Sequence, residues 1–186
     1  MEHEKVVKFL KIIGCLFMSI SVIEIALMIS LNFTEFYITV NPILFSEFIY
    51  NSSYISLTGI ILWFFLIFGM VVFLIIGFFI FKTARSNRIG MKSLSKLIII
   101  MGMVVLMGAF VKMNYLILLG KTRLATKDGS LRFYTVMYHY AFFDLPKIIW
   151  IYFISANCFF ILSGLVVTTV GIKWTLLIEN SKSMEE

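Results

Sequence analysis

Two ionisable residues sit where charge is expensive. Glu24 lies inside the apolar run 12–31, and Lys112 lies inside the apolar run 97–120. Glu24 comes seven residues before the end of its run at Leu31, and Lys112 eight before Gly120. At about 1.5 Å of helix per residue, both fall roughly 10–12 Å below the same boundary. An unpaired charge near mid-bilayer costs about 2.5–3.5 kcal/mol even on the lenient insertion scale. Opposite signs at matching depth therefore predict an intramembrane ion pair. Such a pair can serve as a packing device that docks the first and third helices. It can also belong to an ion or proton path in which Glu24 titrates or lines a pore, or Lys112 can snorkel outward alone. The packing device is preferred, because no further ionisable residue recurs along a path. Asn114, two residues beyond Lys112, points elsewhere on the helix and reads as an interhelical hydrogen bonder.

The fourth apolar run carries Asn157, Gly164 and Gly171 at seven-residue spacing, with Ser163 beside the middle one. Small residues on one stripe let helix backbones approach closely, and a buried asparagine can bond across helices. The pattern predicts a helix-packing seam, within the chain in preference to a partner subunit. Gly69, Gly77, Gly102 and Gly108 carry the same signal in the second and third runs.

Catalytic chemistry has little to work with. Of the two histidines, His139 stands in an aromatic loop too isolated for a metal site, which needs several ligands. Haem ligation by two histidines within the membrane is excluded for want of a second spanning histidine. No CxxC pair, GxSxG nucleophile or HExxH motif occurs. The expectation is a chain that is not an enzyme and holds neither cofactor nor metal. The two cysteines, Cys15 and Cys158, both lie within apolar runs and build no disulfide framework. Asn32-Phe33-Thr34 and Asn51-Ser52-Ser53 are N-glycosylation sequons, although both hug a span, where a glycosylating enzyme reaches poorly.

These residues need elements to hold them. Hydrophobic residues make up 61% of the 186 and charged residues only 14%, far from the balance of a soluble domain. The apolar residues are bunched into four runs, 12–31, 55–81, 97–120 and 148–172, each near the roughly 20 residues that cross a bilayer. In hydrocarbon every backbone amide must bond within its own segment, so the runs are predicted as helices. The fold expected is all-α: a four-transmembrane-helix bundle forming a single membrane domain over 1–186. The first run follows basic residues, as a signal peptide does. It is longer than a usual signal core and no small-x-small cleavage site follows, so it reads as a retained span.

Orientation follows from lysine and arginine. The loop 32–54 has none, whereas 82–96 carries Lys82, Arg85, Arg88, Lys92 and Lys96. The amino-terminal arm adds three lysines, so the arm, the 82–96 loop and the tail 173–186 are expected in the cytoplasm, with the plasma membrane the expected location. The loop 121–147 opposes this with Lys121, Arg123, Lys127, Arg132 and Lys147. The net charge of +6 sits in these clusters beside apolar runs. That placement suits topology and anionic lipid, and leaves no domain for nucleic acid.

The two outer loops are not linkers. Residues 35–40 and 43–50 are β-branched and aromatic around Asn41-Pro42, a hairpin pattern. Residues 127–130 form a turn signal, and 131–143 is again aromatic and β-prone. Two readings stand equal here: a small β-rich extracellular cap of three strands, or an interfacial aromatic belt of Phe133, Tyr134, Tyr138, Tyr140, Phe142 and Phe143. Asp144 and Pro146 then open the fourth helix.

Taken in order, these features resemble the four-span superfamily of claudins, peripheral myelin protein and the epithelial membrane proteins. The shared plan is cytoplasmic ends, a sequon-bearing first outer loop, a short basic inner loop and a second outer loop before the fourth helix. The local match is 150–167, WIYFISANCFFILSGLVV, similar to that family's aromatic fourth helix running into a Ser-Gly pair. The resemblance implies an outer sheet like that of claudins. The chain departs from the family in its first loop, which is shorter and has neither the tryptophan motif nor the paired cysteines.

The function expected is a non-enzymatic membrane protein, a structural, adhesion or auxiliary subunit acting through its outer loops and helix faces. Its partners would be the lipid bilayer and another protein or copies of itself. The alternative is a small oligomeric channel or transporter subunit using Glu24.

Overall fold

Buried residues on the four apolar runs recur at alternating intervals of three and four. One such stripe, entering the first run from Leu10, passes through Ile13, Phe17, Ser21, Glu24, Met28 and Leu31; another on the third passes through Ile98, Gly102, Val105, Ala109, Lys112, Leu116 and Leu119. An average period of 3.5 keeps one stripe of a helix turned inward, as in heptad packing. Glu24 and Lys112 occupy core positions of that repeat. The opposite faces carry large apolar side chains such as Phe64, Phe68, Met107 and Leu162, each 55–66% exposed. Helices this apolar on both sides are compatible with a bilayer, where lipid would supply the missing contacts.

The computed structural model describes residues 2–37, 41–85, 91–126, 129–141 and 143–183. In chain order the elements are α1 (Glu2–Leu31), β1 (Glu35–Phe36), β2 (Ile43–Leu44), α2 (Phe45–Ile49), α3 (Leu57–Arg85), α4 (Met91–Lys121), β3 (Arg123–Thr126), β4 (Gly129–Arg132), α5 (Phe133–His139) and α6 (Leu145–Ser183). The helices α1, α3, α4 and α6 are each long and apolar enough to cross a membrane. All four extend beyond the apolar runs at one end or both. Helix α3 starts at Leu57 and not Ile55, because Ile55 pairs with Leu124 in an isolated β-bridge. Ser56 caps α3 by accepting a hydrogen bond from the Gly59 amide at 3.3 Å. At the start of α6, the Ile148 amide donates to the Asp144 carbonyl at 3.0 Å, and Pro146 falls in the first turn, where a missing N–H is tolerated.

The chain divides into two compact units. One comprises Met1–Ser21, Val72–Phe110 and Cys158–Glu186. It is held by glycine contacts. A Cβ on Gly77 would lie 2.9 Å from the Met18 amide nitrogen, and one on Gly14 would lie 2.8 Å from that of Phe81. A Cβ on Gly164 would meet the Leu106 nitrogen at 2.7 Å, and Gly102 faces Thr168 still more closely. Phe73 and Phe160 stack at 4.4 Å beside these seams, with Phe17 edge-on to Phe160 at 5.2 Å.

The other unit comprises Val22–Val71 and Val111–Asn157. Its core is aromatic. Phe36, Phe45, Phe48, Trp63 and Phe133 are fully buried and Trp150 nearly so. Phe45 contacts Phe48 at 4.8 Å and Trp63 at 4.9 Å, and Phe133 contacts Trp150 at 5.5 Å. The Trp63 indole N–H donates to the Tyr50 hydroxyl at 3.2 Å, satisfying its one polar atom.

Strand content in this unit is smaller than the loop sequences predict. Two separate two-stranded antiparallel sheets form, β1 with β2 and β3 with β4. Single bridges, Phe36 with Ala141 and Ile55 with Leu124, tie the two loops together in place of a third strand. The segments Phe45–Ile49 and Phe133–His139, both β-prone by composition, are short helices. Burial of Phe45, Phe48, Phe133, Val136 and Met137 at helical spacing overrides their strand preference. The aromatic-belt alternative also divides. Phe133 is core, Tyr134 and Phe143 are exposed, and Phe142 lies outside the described residues.

Candidate functional site

Glu24 and Lys112 meet. The Lys112 ammonium donates to both carboxylate oxygens of Glu24 at 2.6 Å, and the side chains are 0% and 2% exposed. The heptad positions of α1 and α4 aim both groups inward. Gly69 of α3 faces the lysine stem, and a Cβ there would make an ordinary 3.5 Å contact with Lys112 Cδ. A two-pronged ammonium–carboxylate contact in a water-poor setting is a strong, charge-assisted interaction. It also occupies both oxygens of Glu24, the one buried carboxylate among the described residues. Asn114, two residues on, is exposed.

The helix-four stripe splits by role. Gly164 packs on Leu106, and a Cβ on Gly171 would lie 3.0 Å from the Ile99 amide nitrogen, so both are close-approach positions against α4. Asn157 belongs to the other unit and is fully buried, with no hydrogen-bond partner for either amide atom among the described residues. It does not make the interhelical bond expected of it. Ser163 is satisfied locally, its hydroxyl donating to the Phe159 carbonyl at 2.7 Å. Ser21, three residues from Glu24 on the same buried stripe, has a hydroxyl with no partner among the described residues, and sequence reasoning passed over it.

The sequon asparagines differ. Asn32 is half-buried, and its amide nitrogen donates to the Met28 carbonyl at 3.2 Å, closing the end of α1. Asn51 is exposed, and its side-chain oxygen accepts from the Ser53 amide at 2.9 Å in an Asx turn. Cys15 and Cys158 are free and exposed. No group of three or more His, Cys, Asp or Glu side chains able to hold a metal occurs among the described residues.

Two features escaped the sequence. Gly14 was not recognised as the counterpart of Gly77, although tracing the heptad stripe through α1 would place it at the edge of the buried face. The aromatic core built from the 32–56 and 122–144 loops left no local signal, because its members are distant in the chain. No protein-family model, curated protein or solved structure matches the chain.

Proposed function

We infer that the chain is a non-enzymatic four-span membrane protein that serves as a structural, adhesion or auxiliary subunit, presenting its outer loops and helix faces to a partner. The observation that carries this reading is the aromatic core of the outer loops. Phe36, Phe45, Phe48 and Phe133 come from two loops far apart in sequence, yet they pack as one buried cluster with Trp63 and Trp150. Main-chain bonds reinforce it, with Tyr37 donating to the Tyr140 carbonyl at 2.7 Å and Ala125 to that of Tyr54 at 2.8 Å. Loops that build their own core offer a preorganised surface, which lowers the ordering cost of binding.

In this reading the amino-terminal arm, the basic 82–96 loop and the tail face the cytoplasm and the sequon-bearing loop faces outward, in the plasma membrane. A small extracellular cap and the tetraspan plan resembling claudins belong to the same proposal. The channel alternative has less support, because both oxygens of Glu24 are already held by Lys112.

Gentle affinity purification of the full chain, followed by native mass spectrometry, tests the reading. Stable recovery with a larger partner, or as an assembly of like subunits, is the expected result. Recovery only as a dispersed monomer under mild detergent counts against it.

A further inference from the structure

The cations of the 121–147 loop oppose the orientation rule, and the subunit reading gives them no task. Three of them cluster. Arg123 and Arg132 are directly opposite across the β3–β4 hairpin, so their side chains leave the same face of the ribbon. Like charges so placed repel, and Lys121 adds a third two residues earlier. All three are exposed, and among the described residues none pairs with a carboxylate. Such a group is stabilised by a shared anion.

Beside it lies a half-open cavity of about 380 Å³. Lys121 and Arg132 line it together with Met113, Ile117, Trp150 and Ile154. Met113, Ile117 and Lys121 follow one another at four-residue spacing on α4, and Trp150 and Ile154 do so on α6. Neighbours at that spacing share a helix face, so the apolar wall continues roughly 12 Å along α4 from the ammonium. Cations at one end and an apolar trough behind them match an amphiphile with an anionic head.

Resting on the membrane-spanning reading, we propose that this groove holds one phospholipid. Its phosphate sits between Lys121 and Arg132, and one acyl chain lies against Met113, Ile117 and Ile154. The occupant must carry both parts, since the cations alone would suit free phosphate and the trough alone any neutral lipid. A bound phospholipid explains why basic residues persist on the side that the orientation rule disfavours.

Native mass spectrometry of the delipidated full chain in detergent tests this with three probes: dioleoylphosphatidic acid, dioleoylglycerol and inorganic phosphate. Phosphatidic acid should form a one-to-one adduct at least tenfold tighter than dioleoylglycerol, while inorganic phosphate forms none that survives. The K121Q/R132Q variant should lose that tenfold preference, and I117W, which fills the trough with the cations intact, should weaken the adduct. K82Q, a cation at the end of α3, should leave it unchanged. Equal binding of dioleoylglycerol, a stable adduct with inorganic phosphate alone, or unchanged binding by K121Q/R132Q would each overturn the proposal. So would an equal loss in K82Q. The first two comparisons use the natural chain, so a misfolded variant does not obscure them. Retention of the chain in the membrane fraction after carbonate extraction separates failure of this site from failure of the spanning reading.

Discussion

Lys112 holds both carboxylate oxygens of Glu24 at 2.6 Å, each side chain fully or almost fully buried. The pair joins α1 to α4, eighty-eight residues apart in the chain. Removing one partner of a buried pair strands the other charge, which costs about 3–5 kcal/mol. Glu24→Gln should therefore lower the thermal unfolding midpoint of the detergent-solubilised protein sharply. Adding Lys112→Met to that variant should recover most of the loss. A pore role for Glu24 makes the opposite prediction, a Glu24→Gln protein that assembles normally but has lost ion flux in liposomes.

Glycine substitutions should divide by what their new Cβ meets. At Gly77 and Gly164 it meets backbone nitrogen at 2.9 Å and 2.7 Å, so alanine must push two helices apart. A loss of about 1–3 kcal/mol is expected at each. At Gly69 the nearest atom is the flexible lysine stem at 3.5 Å, and alanine gains about 1 kcal/mol of helix propensity. Gly69→Ala should be neutral or stabilising in the same unfolding assay. Equal losses at all three positions would contradict the close-approach seams.

Asn157 is buried with no partner for either amide atom among the described residues, an arrangement that costs about 1–3 kcal/mol. Asn157→Leu should leave the unfolding midpoint unchanged or raise it. A fall as large as that of Glu24→Gln would show that the amide has a role the packing does not reveal.

Phe133 anchors the aromatic core, contacting Phe45, Phe48, Trp63 and Trp150. Truncation to alanine should cost about 3–5 kcal/mol. Hydrogen–deuterium exchange is expected to show faster exchange across α2 and β3–β4, with the four long helices still protected. Uniform exchange throughout the chain would mean that the loops and helices unfold as one.

Sequon use should follow side-chain freedom. In a glycosylating host, Asn51→Gln should abolish any glycan mass shift, while Asn32→Gln should not, because the Asn32 nitrogen is bonded to the Met28 carbonyl. A shift lost only on Asn32→Gln would reverse the assignment. Either shift would place the first loop outside.

The four long helices were legible in the sequence because apolar runs of spanning length admit little else. The Glu24–Lys112 pair was legible for a related reason, since two opposite charges at one depth in hydrocarbon have few other ways to be satisfied. The Gly164 and Gly171 seam also showed in the spacing, because close approach needs small residues at fixed intervals. What covers Gly77 did not, since nothing near Gly77 in the chain points to Gly14.

The loops after α1 and α4 are where tertiary structure decided. Phe45–Ile49 and Phe133–His139 have strand-forming composition and fold as helices, because each then turns its aromatic side chains into one shared core. Asn157 shows the same limit: its spacing marked a buried face, but only the packed helices show that no donor or acceptor among the described residues reaches it. Composition and periodicity determine which segments form helices long and apolar enough to cross a membrane, and which face turns inward. Which residues meet there depends on contacts between distant segments, and a linear sequence does not record those.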